Sequence, residues 1–187
     1  KAPMSTCIFE HIYFARPDAT IDGLNAYSFR VKTGEILAKE SPVNADVIVP
    51  VPDSGWPGAI GFSSKSGIPI MEGLVKNRYM GRTFIKPTQR EREIAVKLKL
   101  NPIVDVVKGK KVVLVDDSIV RGTTSKRLIE SLRAAGAKEV HMRITSPPVT
   151  HSCYFGIDTP RRKNLIAAHS TVQEICDNIG ADSLGFI

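Results

Sequence analysis

Two neighbouring acids, Asp116 and Asp117, run straight into Ser118, Arg121, Gly122, Thr123, Thr124 and Ser125. Carboxylates offer hard oxygen acceptors to sugar hydroxyls or to a magnesium ion. Hydroxyl side chains and the free N–H groups of a helix start donate to a phosphate, which the positive end of the helix dipole also favours. Gly122 lets the backbone approach a ligand closely or adopt a positive φ. Acids facing that phosphate would repel it, so acids and loop must serve different parts of one ligand. A ribose 5-phosphate with magnesium nearby satisfies both. An Asp-Asp pair can also cap a helix or begin a turn, and the flanking elements weigh against that reading.

Those elements are a strand and a helix. Val112 to Val115 is an unbroken apolar run, the composition of a strand buried on both faces of a parallel sheet. Leu128, Ile129 and Leu132 then repeat at helical spacing up to Gly136, a stop signal. Ligands of open α/β sheets bind beyond the carboxyl ends of the strands, where the acids fall. A second strand-turn-helix lies earlier. The short apolar strand within 46–52 ends in Asp53, Ser54 and Gly55, and a helix with Pro near its start follows from about Pro57 to Ser66. Backbone N–H groups of such a turn form a nest for a second phosphate. Read without the first stretch, it is an ordinary strand-turn-helix.

Composition excludes several classes. The 187 residues suit one domain. With 42% hydrophobic and 24% charged residues the chain is globular rather than disordered. No apolar run approaches the ~20 residues of a membrane span. The net charge is +7, and eleven Lys or Arg between Lys76 and Lys111 face only Glu91, Glu93 and Asp105. Part of this run is a solvated helix face. For the rest a small polyanionic substrate fits better than nucleic acid, because no aromatic ladder accompanies the charge. Three scattered cysteines, Cys7, Cys153 and Cys176, argue against a disulfide framework and for a reducing compartment. By composition alone all three read as core cysteines.

The remaining order is coarse. Residues 1–20 read as an opening strand, and 24–39 as an amphipathic helix whose apolar residues are Leu24, Tyr27, Val31, Ile36 and Leu37, with Gly34 an irregularity. Gly67 to Ile70 reads as a strand, Thr88 to Pro102 as a helix, and Glu139 to Thr145 as a strand carrying a structural His141. Asp158-Thr-Pro160 reads as a helix start, and Thr171-Val-Gln-Glu174 as the capping box of a short final helix that buries Cys176. Gly185-Phe-Ile187 reads as the middle of a strand.

Val-Val-Leu-Val-Asp-Asp-Ser-Ile-Val-Arg-Gly-Thr-Thr over 112–124 resembles the phosphoribosyl-pyrophosphate (PRPP) motif of type I phosphoribosyltransferases, in the form found in the amidophosphoribosyltransferase family. The resemblance continues through 7–18, 76–85, 136–141, 146–148, 153–160 and 179–184, nearly the whole chain. It implies an α/β type I phosphoribosyltransferase fold, a mostly parallel twisted sheet flanked by helices, occupying 1–187 as one domain. That domain would be the later part of a larger enzyme, with an N-terminal glutaminase domain and a C-terminal tail outside this sequence. The implied reaction is magnesium-dependent: ammonia released from glutamine displaces pyrophosphate from PRPP, giving 5-phosphoribosylamine, the first committed step of purine biosynthesis.

Carried over position by position, Lys76, Arg82 and Lys99 would contact the pyrophosphate or hold a closed catalytic loop, with Tyr79 closing the lid. Met80 stands where a smaller Val is expected. Asp53, Ser54 and Gly55 would hold the pyrophosphate, with Ser54 near magnesium. Asp116 and Asp117 would hold the ribose hydroxyls, directly or through magnesium, and Ser118, Arg121, Gly122, Thr123, Thr124 and Ser125 would cradle the 5-phosphate. Cys7 and Cys153 match the first two of the four ligands of a 4Fe-4S cluster, so the intact protein would carry the cluster and this stretch could not hold it stably. The resemblance also implies purine nucleotides as inhibitors, a homo-oligomer (a tetramer when intact), and a cytoplasmic or plastid location, with no nucleic-acid or membrane partner. Three readings compete: a base-specific phosphoribosyltransferase, a non-catalytic regulator binding PRPP or nucleotide on the same fold, and a nucleic-acid module suggested by charge alone.

Overall fold

A computed structural model describes residues 6–76, 100–154, 156, 159 and 161–187. Its centre is a four-stranded parallel sheet in the order β3-β6-β7-β8, formed by Val47–Pro50 (β3), Lys111–Asp116 (β6), Glu139–Ile144 (β7) and Ser183–Phe186 (β8). Val47 pairs with Val112, and Asp116 with Ile144. Two short antiparallel pairs flank it: β1 (Thr20–Ile21) with β2 (Leu24–Asn25), and β4 (Leu74–Lys76) with β5 (Leu100–Pro102). No described helix is long and apolar enough to cross a membrane.

The apolar run 112–115 is buried on both faces because side chains alternate sides along a strand. Val112 and Leu114 join a core with Leu128, Ile129 and Leu132 of α4 (Thr123–Ala134) and Ile175 and Ile179 of α5 (Val172–Ile179). Val113 and Val115 point the other way, to Leu37 of α1 (Ala26–Glu40) and to Ala59 and Phe62 of α2 (Trp56–Ser66). A short α3 (Val104–Val107) precedes β6. Gly136, at φ 95°, ends the α4 segment as expected. The capping box holds: Thr171 accepts from the Glu174 N–H, and the Glu174 carboxylate accepts from the Thr171 N–H.

Three expectations need correction. Of the opening strand expected over 1–20, 1–5 lie outside the described residues, and the rest is not a strand before β1 begins at Thr20: Glu10–Phe14 is a wide helical turn closed by the Ala15 N–H donating to the Glu10 carbonyl, and His11 and Ile12 are its buried residues. The aromatic-rich run follows helical rather than alternating periodicity. Of the apolar residues expected on that helix, Leu24 lies in β2 and both it and Tyr27 are exposed; the buried face of α1 carries Ala26, Arg30, Thr33, Gly34, Leu37 and Ala38. Gly34 is the reason. A Cβ there would lie 2.0 Å from the Gly58 carbonyl oxygen, and one on Gly61 would lie 1.9 Å from that of Val31. The α1 and α2 backbones touch through these glycines, so small residues, not large apolar ones, define the contact face. The strand expected over 67–70 reduces to a single bridge between Ile70 and Ile48. The helix expected over 88–102 lies outside the described residues up to Lys99, and 100–102 is β5. Asp158 and Pro160 of the expected helix start are also outside them.

Gly34→Ala or Gly61→Ala is expected to lower stability by about 1–3 kcal/mol through overpacking, measured by urea denaturation. Wild-type midpoints in both variants would show that the helices can separate without cost.

Candidate active site

The carboxyl ends of β3 and β6 open into a cavity of about 550 Å³. One wall is the loop after β6, from Asp116 through Ser125. The β3 turn contributes Val51, Pro52 and Ser54. Phe9, Tyr13 and Phe14 bring an aromatic wall, and Leu100 and Gly156 complete the lining.

Asp116 and Asp117 are each only 7% exposed. The chain folds back on them locally: the Asp117 N–H donates to Asp116 Oδ1 at 2.9 Å, and the Ser118 hydroxyl donates to Asp117 Oδ2 at 2.8 Å. β7 fixes the same point through the Thr145 N–H, which donates to the Asp116 carbonyl. Burial pushes the Asp116 carboxyl well above its ordinary value, and the neighbouring Asp117 pushes it further. Ser54 lies close enough to favour the charged form. Two buried carboxyls beside a hydroxyl form a hard-oxygen donor set. It suits a magnesium ion that completes its shell with waters and ligand oxygens.

Next to the acids stands the start of α4. Gly122 has φ 75°, the left-handed region that glycine tolerates. As N-cap it offers no side-chain acceptor, so the first N–H groups of α4 have no side chain to satisfy them. Thr123 and Thr124 are exposed there and Ser125 is buried. The Ile166 N–H donates to the Val120 carbonyl and braces the loop from outside. Uncapped donors, hydroxyls and a positive dipole end suit this point to an anion.

The structure gathers Ser54, Asp116, Asp117, Ser118, Arg121, Gly122, Thr123, Thr124 and Ser125 around one cavity, as the spacing suggested. Asp53, Gly55 and Lys76 stand outside its lining. Lys76 Nζ pairs with Asp53 Oδ2 at 2.8 Å on the exposed rim, which ties the end of β4 to the β3 turn. The Gly55 N–H donates to the Val51 carbonyl, and a Cβ there would lie 2.4 Å from the Val115 carbonyl oxygen. Gly55 thus serves the close approach of α2 to β6. Arg82 and Lys99, with Tyr79 and Met80, lie outside the described residues. Cys7 is exposed, Cys153 half-buried and Cys176 buried, its thiol donating to the Ala181 carbonyl. No group of three His, Cys, Asp or Glu residues able to hold a metal occurs among the described residues. Two thiols do not make a cluster site, which wants a full thiolate set. His141 is structural: its ring nitrogens meet Ser183 and Glu139 within the sheet. The aromatic wall went unread in the sequence. Its signal was Phe9, Tyr13 and Phe14 at i, i+4 and i+5, a helical spacing within a stretch read as a strand.

A parallel α/β sheet whose central strand ends in two acids and an uncapped helix start defines a sugar-phosphate-binding domain. Residues 32–145 match the phosphoribosyl transferase domain model, and the chain belongs to that family. Within it, the chain is similar to amidophosphoribosyltransferases. It is 60% identical to that of Methanocaldococcus jannaschii over 98% of this chain and 39% of the relative, and 58% identical to that of Synechocystis over 100% and 38%. Among solved structures, the glutamine PRPP amidotransferase from B. subtilis, complexed with ADP and GMP, superposes with a TM-score of 0.88 at 55% identity, covering 96% of this chain and 40% of that one. The chain thus spans about two fifths of the length of the relatives it matches.

The raised Asp116 value has a testable sign. A carboxyl that holds its proton more tightly when folded contributes stability fully present below about pH 4, the ordinary carboxylate value, and lost as pH rises through its folded value. Without divalent cation, Asp116→Asn should flatten this loss and exceed wild type in urea midpoint near pH 8. Parallel curves for the two proteins between pH 4 and 8 would refute the buried-acid account.

Proposed function

We propose that this chain is the phosphoribosyltransferase part of an amidophosphoribosyltransferase, exchanging the pyrophosphate of PRPP for ammonia to form 5-phosphoribosylamine. The observation that supports this reading is one cavity holding both an uncapped helix N-terminus and a pair of buried acids. A ligand with a phosphate at one end and hydroxyls at the other matches both.

In this mechanism the α4 N–H groups with Ser118, Thr123, Thr124 and Ser125 hold the 5-phosphate and fix the sugar at one end. Asp116 and Asp117 accept from the ribose hydroxyls. The Ser54 turn faces the leaving side, and Lys76 on the rim places a positive charge beside it. By the resemblance, Arg82 and Lys99 would add charge to that side. Magnesium, held by Asp116, Asp117 and Ser54, would supply charge neutralisation for the departing pyrophosphate. The transition state resembles an oxocarbenium ion, so positioning and charge stabilisation carry the rate and no side-chain nucleophile is required. The aromatic wall closes the other side of the cavity and excludes water from C1. Ammonia reaches C1 from a glutaminase domain of a longer, oligomeric protein, as in purine synthesis. Purine nucleotides compete by placing their own 5-phosphate in the same loop. Cys7 and Cys153 would join cluster ligands from outside this sequence.

The test is pyrophosphate release from PRPP with magnesium and ammonium chloride. Wild type should release it in an ammonia-dependent way. Asp116→Asn/Asp117→Asn should lose at least a hundredfold, about 3 kcal/mol of transition-state stabilisation, while staying folded. Equal rates in both proteins would refute the assignment of the acids.

A further inference from the structure

Arg30 is buried in α1 at 7% exposure, an unusual place for a guanidinium. Its partners lie on the turn that carries the aromatic wall. Nε donates to the His11 carbonyl at 2.7 Å and Nη2 to the Ala15 carbonyl at 2.8 Å. These carbonyls bracket Tyr13 and Phe14, two wall residues that keep 55% and 43% of their surface exposed. Ile12 anchors the turn from below, at 2% exposure. The turn runs five residues, and its N-cap makes no side-chain bond. The His11 ring packs on α1 against Phe29, centroids 5.0 Å apart. A planar fork that caps two carbonyls near the end of a helical turn sets both its position and its rotation.

We propose that Arg30 is a positioning residue for the transferase reaction: its guanidinium clamps the His11 and Ala15 carbonyls and thereby sets the aromatic wall opposite the acidic pair. The inference rests on the transferase reading of the cavity. A second observation points the same way. Asp117 lies within electrostatic reach of Arg30 and favours its charged form, against the burial that opposes it. The clamp and Asp117 are thus electrostatically linked. Arg30 touches no cavity surface itself and acts through the Phe9–Phe14 segment.

The experiment compares wild type, Arg30→Met, which keeps the stem and removes both donors, and Arg30→Lys, which keeps charge and one donor. Hydrogen exchange of the 9–16 amides should rise at least tenfold in Arg30→Met, with β6 and α4 unchanged. In the pyrophosphate-release assay kcat should fall about tenfold in Arg30→Met, with partial recovery in Arg30→Lys. Binding of inorganic phosphate, which needs only the α4 loop, should stay within twofold of wild type. Unchanged exchange, unchanged kcat, or a loss of phosphate binding as large as the loss of kcat would each overturn the proposal. A wild-type protein without ammonia-dependent release would instead sink the transferase reading. The clamp would then stand or fall on the exchange data and on ribose 5-phosphate binding, which Arg30→Met should weaken more than inorganic phosphate binding.

Discussion

Two adjacent carboxyls at the end of a strand buried on both faces are the constraint on which this structure turns. Desolvation and mutual repulsion make the pair costly when both are charged. Among the described residues the fold sets no Lys, Arg or His in an ion pair with either acid. It supplies an Asp117 N–H, a Ser118 hydroxyl and the nearby Ser54. These hold the acids in place without neutralising them. The unmet demand is for hydroxyl donors or a divalent cation, and that demand gives the cavity its chemistry.

Much of the surrounding architecture keeps this point rigid. The Val51 N–H donates to the Val115 carbonyl just before the acids, and the Thr145 N–H donates to the Asp116 carbonyl on the other side. Gly55 lets α2 begin against the end of β6, Gly34 and Gly61 let α1 lie on α2 at backbone contact, and Gly58 leaves room for the Thr145 side chain. The glycines therefore act at a distance from the ligand. They seat α1, with Arg30, against α2 and bring the β3 turn, with Ser54, to the β6 loop that lines the same cavity.

The chemistry was more legible than the contacts. Val112 to Ser125 announced strand, acids, loop and helix, because a strand buried on both faces and a hydroxyl-rich helix start each leave a local mark. The α4 and α5 faces were legible for the same reason: Leu128, Ile129 and Leu132 repeat at helical spacing, and Thr171 and Glu174 form a local motif. The α1 face was not. A glycine that permits contact looks, in one dimension, like a glycine that weakens a helix, and Arg30 looks like a surface charge until its carbonyl partners at 11 and 15 are placed. The Glu10–Phe14 turn was misread because its aromatic residues suit either a strand or a helix, and only the bond from the Ala15 N–H to the Glu10 carbonyl decides. The parallel register of β3 beside β6 depends on partners 65 residues apart, as in Val47 with Val112, and no local pattern encodes such pairing.

The central claim is that the helix start and the acids hold different ends of one ligand. The phosphorus spectrum of PRPP titrated with this chain tests it most directly, since the 5-phosphate and the two pyrophosphate resonances are read separately. Without magnesium the 5-phosphate resonance should shift and broaden on binding while the pyrophosphate resonances change little. With magnesium, which moves the pyrophosphate resonances of free PRPP as well, those resonances should depart from their free magnesium–PRPP positions in wild type and stay at them in Asp116→Asn/Asp117→Asn. A 5-phosphate resonance that stays at its free position under both conditions would contradict the account.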